Sequence, residues 1–465
     1  MRVFLIICIL FASFGCADHP KSDSKLPSSS PQPEIQSGPS PGRLLTMLPV
    51  VTQPGIHYAA YFPKTYDENK KFPVMILFDP QGHPETPLEK YKALADEMGF
   101  ILMGSHESKN GLGARETADI FLAIAAQAKA LPKADTNLVY AGGFSGGGRV
   151  ASMMGLAPLN IRGILTCGAG VPKGAWFGVP PYVVVSIAGD ADMNLSEVKT
   201  FTTQKSELLS RYFKLYFDGG HIWPPVAEMK FAFLIFQRLA MIDQMIPGDE
   251  QFILESGKWI DAYIAGLNNP IHRKEACSSM LRISEGLTPI TAWENKYNEI
   301  RKSQAYLTAI DYDKALDLEE EKLKFQFQNE IFKQDTAWWT KTMNSFLDTS
   351  SYKNNKARIA MVRRVQGHLS LLVYNSLDRA IRALHNEQSS YLSALYRLID
   401  PANPEAWYLS AVVAAQLGQP GVLSAYLEQA VKYGFNDLER CRREPYFAGI
   451  QQDVKFQTVL STMNH

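Results

Sequence analysis

Ser145 stands in Gly143-Phe144-Ser145-Gly146-Gly147, and its neighbours are those a nucleophilic serine requires. Leu138-Val139-Tyr140-Ala141 before it reads as a strand, and Gly148-Arg149-Val150-Ala151-Ser152-Met153-Met154 after it reads as a helix. A strand that turns directly into a helix strains the backbone at the turn. Glycines two residues either side remove the Cβ clashes. Such a serine stands exposed at a strand's carboxyl end, at a helix N-terminus whose dipole favours developing negative charge. A hydroxyl is a weak nucleophile at its own pKa and needs a base. Two later strand ends offer the partners. Tyr182–Ile187 runs into Gly189-Asp190-Ala191-Asp192, a turn where a fixed carboxylate is wanted, with Asp190 and Asp192 both available. Phe213–Phe217 runs into Asp218-Gly219-Gly220-His221-Ile222-Trp223-Pro224, whose paired glycines let a loop carry His221 back as general base. A packed structural histidine beside Trp223 is the competing reading. His57, His83 and His106 lack this context.

The elements needed to position these groups are legible between residues 48 and 245. Candidate strands are Ile56–Phe62, Val74–Phe78, Phe100–Met103, Leu138–Ala141, Ile161–Thr166, Tyr182–Ile187 and Phe213–Phe217. Several are continuous apolar runs, as in a parallel sheet covered on both faces. Pro87–Met98, Arg115–Ala130, Gly147–Leu156 and Leu195–Arg211 read as the intervening helices. The alternation predicts an α/β fold, a doubly wound and mostly parallel sheet. Ile56–Phe62 is expected antiparallel at its edge, because Lys64–Lys71 is too short and polar for a crossover helix.

From about residue 250 to 465 strand signals stop, and an all-α region is expected, with helices such as Ala315–Phe332, Ala357–Leu372 and Ala406–Leu417. At 390–465, Asn403-Pro404 opens a helix pair broken at Gly418. Trp407 and Ala411 mark one helix, and Leu423, Leu427 and Ala430 the other. The pair resembles a tetratricopeptide repeat, a generic helical bundle being the alternative.

The N-terminus is read as processing sequence. A charged start and an apolar run, Val3 to Phe14, are long enough for a signal-peptide core and too short to span a bilayer. Ser13-Phe14-Gly15-Cys16 resembles the lipobox of bacterial lipoproteins, which implies cleavage after residue 15 and acylation of Cys16. Residues 16–47, centred on Pro27-Ser28-Ser29-Ser30-Pro31-Gln32-Pro33, read as a Pro/Ser-rich tether. The expected location is the bacterial cell envelope, lipid-anchored, or secreted if Cys16 is not acylated.

The serine motif, the turn acid and the Gly-Gly-His-x-Trp-Pro segment together resemble the α/β-hydrolase superfamily. The nearest groups are dienelactone hydrolases, feruloyl esterases and polyhydroxybutyrate depolymerases, over residues 56–240. The resemblance implies the chain order serine, acid, histidine, and selects Asp192 as the acid, with Asp190 as runner-up. It implies ester hydrolysis through an acyl-enzyme, with no metal or organic cofactor. It also implies a two-donor oxyanion hole: the Gly146 N–H and one from the loop after Val74–Phe78. Relatives commonly carry His-Gly in that loop, whereas this chain has Asp79-Pro80-Gln81-Gly82. Proline has no N–H, so Gln81 is the candidate second donor. Phe144, Trp176 and Trp223 are candidates for a substrate pocket or, equally, core aromatics.

Composition narrows the rest. With 465 residues, two or three domains are expected. Lys plus Arg equals Asp plus Glu at 47 each, so no global charge draws the chain to nucleic acid. Cys167, Cys277 and Cys441 show neither zinc spacing nor a disulfide framework, although a Cys277–Cys441 pair stays open. The expected substrate is a small-molecule or glycan-linked ester, and the helical region offers a surface for a protein partner. The contrasting expectation is a surface-anchored scaffold with a degenerate hydrolase domain.

Overall fold

A computed structural model of the chain describes residues 39–172, 182–201 and 211–464. Cys16, the signal segment, the tether up to residue 38 and Trp176 lie outside the described residues.

The strands are β1 (Leu44–Val50), β2 (Gln53–Tyr61), β3 (Phe72–Phe78), β4 (Ile101–Ser105), β5 (Ala134–Phe144), β6 (Gly163–Cys167), β7 (Val183–Gly189) and β8 (Tyr212–Phe217). Between them lie α1 (Glu85–Met98), α2 (Ala114–Ala130), α3 (Gly146–Leu156) and α4 (Leu195–Lys199). Each strand read from an apolar run is present, shifted by a few residues at its ends. The fold is α/β, a sheet of mostly parallel strands followed by a helix-rich C-terminal region. β3 pairs parallel with both β4 and β5, and its apolar sequence is buried nearly throughout, as a central strand demands.

The edge differs from expectation. β2 pairs antiparallel with β4 on one side and with β1 on the other, so Ile56–Phe62 is not the edge strand. β1 is, and it takes residues 44–47 from the expected tether. Its Pro49 cannot donate to a ladder, a defect that an edge tolerates.

After β8 come α5 (Val226–Ile242), α6 (Glu250–Gly266), α7 (Pro270–Ser284), α8 (Thr291–Lys302), α9 (Gln304–Glu330), α10 (Thr336–Leu347), α11 (Lys356–Arg382), α12 (Asn386–Ile399), α13 (Pro404–Gln416), α14 (Pro420–Lys432), α15 (Leu438–Arg443) and α16 (Val454–Ser461). Local chemistry sets their ends. α13 begins with proline at its first turn, where no N–H is missed, and the Asn403 side chain caps it by accepting from Glu405 N at 3.0 Å. On α11 the fully buried Met361, Val365, Leu369, Val373 and Leu377 recur every fourth residue, one stripe facing the helical core.

The described residues form two compact units, 39–166 with 182–184 and 167–172 with 185–464. In the first unit the strand order is β1-β2-β4-β3-β5-β6. The second holds most of β7, β8 and the helices from α4 onward. Its members are knit by two arginines, Arg282 half-buried and Arg238 fully buried. Arg282 of α7 lies 4.2 Å over the Phe213 ring of β8 and donates to Tyr212 O at 2.9 Å. Arg238 of α5 donates to Ile283 O at 3.0 Å and to Ser256 Oγ at 2.8 Å. Cys167, Cys277 and Cys441 are buried free thiols, so Cys277 and Cys441 are not paired. Among the described residues no helix is long and apolar enough to cross a membrane.

Candidate active site

β5 delivers its chain directly into α3, and the one residue between them is Ser145. Its φ is +51° and ψ −117°, a conformation a side chain adopts only under strain, at a cost of order 1–3 kcal/mol. The surroundings explain how it persists. A Cβ on Gly147 would stand 2.0 Å from the Phe78 carbonyl oxygen at the end of β3, and one on Gly143 would stand 2.3 Å from the Gly147 carbonyl carbon. Both positions therefore admit only glycine, and the turn closes more tightly than any other residue pair would allow. Gly146 opens an eleven-residue helix, whose first-turn N–H groups have no intrahelical acceptor.

Still in the first unit, the loop after β3 is not arranged as expected. The Gln81 N–H donates to Asp79 Oδ1 at 2.9 Å, an Asx turn two residues long. Asp79 is 5% exposed, and a buried carboxylate holds such a donor firmly. The expected second oxyanion donor is thus already engaged. A residue not foreseen lies beside the elbow instead. Asn110, in the loop after β4, donates its N–H to Pro80 O at 2.8 Å. Its side chain lies against Gly146: a Cβ there would be 1.8 Å from Asn110 Oδ1. Nothing in the local sequence around Asn110 signals this, because the contact depends on how two loops meet.

The second unit holds the other pair. Asp192 follows β7 in a turn closed by Asp192 N donating to Gly189 O at 3.1 Å. It is 1% exposed, and its Oδ1 accepts from Asn194 N at 2.8 Å and from His221 Nδ1 at 2.9 Å. Two backbone bonds join this turn to the end of β8 and the His221 loop: Asp190 N to Phe217 O at 2.9 Å, and Ala191 N to Gly219 O at 2.8 Å. A proton on Nδ1, shared with the carboxylate, leaves Nε2 of His221 as an acceptor. Asp190, the runner-up acid, pairs with a different histidine: His272 Nε2 lies 2.8 Å from its Oδ1.

The remaining candidates sort by burial. Phe144 is half-buried and Trp223 is buried, 7% exposed. His57 pairs with Glu107 at 3.0 Å, and the Met47 N–H donates to His106 Nε2 at 3.3 Å, so both have structural roles. Among the described residues no cluster of His, Cys, Asp or Glu could hold a metal ion.

No family model matches this chain, and no curated protein does. Among solved structures it is similar to an acetyl xylan esterase from Aspergillus awamori, with a TM-score of 0.34 and 11% identity, over 42% of this chain and 100% of that one. It is similar to a thermophilic esterase from Thermogutta terrifontis, with a TM-score of 0.33 and 11% identity, over 42% of this chain and 91% of that one. It is also similar to a dipeptidyl peptidase 4 from Porphyromonas gingivalis, with a TM-score of 0.31 and 14% identity, over 42% of this chain and 34% of that one. The first two of these structures are esterases and the third a peptidase.

Proposed function

We propose that this chain is a serine hydrolase that cleaves carboxylic esters through an acyl-enzyme, with Ser145 as nucleophile, His221 as general base and Asp192 as the acid that orients it. One observation carries the reading: Ser145 is held at φ +51° and ψ −117° on a tight turn from strand into helix, the strained elbow that presents a nucleophilic hydroxyl. The His221–Asp192 bond supports it, because it leaves Nε2 able to take a proton.

In this reading His221 Nε2 accepts the Ser145 proton as Oγ bonds to the substrate carbonyl carbon. The carbonyl oxygen becomes an oxyanion facing the Gly146 N–H. His221 then returns the proton to the departing alkoxide, and the alcohol leaves. Water repeats the sequence on the acyl-enzyme, releasing the acid and restoring Ser145. A fluorophosphonate probe tests the nucleophile: labelling of the wild type that is absent in Ser145→Ala supports the enzyme, and no labelling of folded wild type leaves the scaffold reading. A panel of short p-nitrophenyl esters, feruloyl esters, acetylated sugars and peptide anilides then separates esters from peptides.

In this reading the second oxyanion donor is Nδ2 of Asn110, once the carboxamide turns it toward the site in place of Oδ1, which lies against Gly146; Pro80 has no N–H and the Gln81 N–H is engaged by Asp79. Asn110→Ala is then expected to lower kcat by about 10²–10³-fold with KM changed far less, the usual loss for one such donor. Asn110→Asp should do no better, because a carboxylate repels the oxyanion. Wild-type kcat in both variants would return the role to the backbone.

Acylation at Cys16 is the proposed anchor. A Cys16→Ser form should be released from the membrane fraction with its esterase activity intact, and a form that still partitions with membranes would count against acylation.

A further inference from the structure

The turn that carries Asp192 is gripped from its other side by the C-terminal helices. We propose that Arg364 and His272 are positioning residues for Asp192, so that the helical region completes the hydrolase site rather than hanging from it. The proposal rests on the reading of Asp192 as the triad acid.

A carboxylate on a turn keeps a fixed direction only if its backbone is fixed. On one side, residues 190 and 191 are bound by the end of β8 and the loop that follows it. The opposite side is bound by groups 82 and 174 residues away in sequence. Arg364 of α11 donates from Nη1 to the Asp190 carbonyl oxygen at 2.5 Å. His272 of α7 meets Asp190 Oδ1 at 2.8 Å while its ring lies 5.5 Å from that of Tyr216 on β8. Next along the turn, Met193 packs on α11 at Gly367, where a Cβ would stand 3.2 Å from its Sδ. Contacts at 190 and 193 thus bracket Asp192, and they come from two helices.

The chemistry of Arg364 argues for precision rather than for stability. It is 4% exposed, and its Nε binds Glu320 Oε2 of α9 at 2.6 Å, Glu320 being equally buried. Lys324 completes the cluster at 2.6 Å from Glu320 Oε1. Replacing buried ion pairs with apolar residues of similar volume is often neutral or stabilising, so stability alone does not favour an arginine here. What an apolar residue cannot do is bind the Asp190 carbonyl. Among the described residues Arg364 Nη2, also buried, has no hydrogen-bond partner, so the hydrogen bonds that orient the guanidinium are those to Glu320 and the turn.

The test uses the full chain and a short p-nitrophenyl ester. The double variant Arg364→Met/Glu320→Gln removes both buried charges together, avoids an orphaned carboxylate and keeps an amide oxygen for Lys324. His272→Phe keeps a ring against Tyr216 and loses the bond to Asp190, together with the electrostatic contact between His272 and Glu228. The expected result is a fall in kcat of about 10²-fold for the first and about 10-fold for the second, the scale on which a misplaced catalytic group costs rate. KM should stay within about twofold and the thermal midpoint within a few degrees. Arg364→Lys, which keeps a donor, should recover part of the loss. A second signature is the downfield Nδ1 proton of His221 in the NMR spectrum, expected to broaden in both variants. If His272→Phe and the double variant fold and keep wild-type kcat, the positioning role is overturned while the hydrolase reading stands. If the double variant fails to fold, His272→Phe decides alone. Absence of any Ser145-dependent hydrolysis in the wild type would instead remove the reading beneath the proposal.

Discussion

Ser145→Ala is expected to abolish fluorophosphonate labelling and to lower kcat on esters by about 10⁶-fold, the loss seen when the nucleophile of a serine triad is removed. Residual turnover would then come from donors that hold an oxyanion without attacking. The same position makes an independent prediction about stability. At φ +51° and ψ −117°, alanine carries the same backbone strain as serine, whereas glycine carries little. Ser145→Gly should therefore be about 1 kcal/mol more stable than Ser145→Ala in urea unfolding, even after glycine's larger unfolded-state entropy. Both variants should be equally inactive. An equal or lower stability for the glycine variant would mean that the elbow is not strained in solution. The argument that the strain is kept for the hydroxyl would then fall with it.

What the sequence made legible follows from how local each signal is. β3 and β7 are almost wholly apolar runs, Ser186 being the polar exception, because both of their faces are covered, and they stand where the runs are. The elbow was legible because Gly143, Ser145 and Gly147 act within five residues, and clashes at 2.0 and 2.3 Å show why nothing larger fits. Asp192 and His221, each at a strand end, do meet. β1 gives no clear strand signal, because its seven residues follow Pro39 and Pro41 and include Pro49, a composition shared with the tether. The engagement of the Gln81 N–H has a local cause that the sequence carries: an aspartate two residues earlier accepts from it. Asn110, His272 and Arg364 were out of reach of any local pattern. Their contacts span loops and helices that only the folded chain brings together.

The identity of the acid gives the second large effect, and Asp190 supplies the internal comparison. Asp192→Asn keeps the shape and most of the hydrogen bonds of a side chain that is 1% exposed. Its Oδ2 is buried without a hydrogen-bond partner, so losing the charge there does not strand a counter-ion, and the thermal midpoint should move by only a few degrees. Activity should respond very differently. An amide NH₂ turned toward His221 Nδ1 forces the ring proton onto Nε2, which leaves no lone pair for the Ser145 proton. Turned the other way, the amide still cannot stabilise the imidazolium that forms during attack. The expected fall in kcat is about 10⁴-fold with KM changed only a few-fold, and phosphonate labelling should slow in parallel. Asp190→Asn retains an oxygen for His272 Nε2 and leaves the backbone carbonyl bound by Arg364 untouched, so its loss should not exceed about 10-fold. The contrast between two aspartates two residues apart on one turn depends on which histidine each one faces. If Asp190→Asn proved the more damaging change, the pairing of Asp192 with His221 would have no catalytic meaning, and the acid would have to be reassigned.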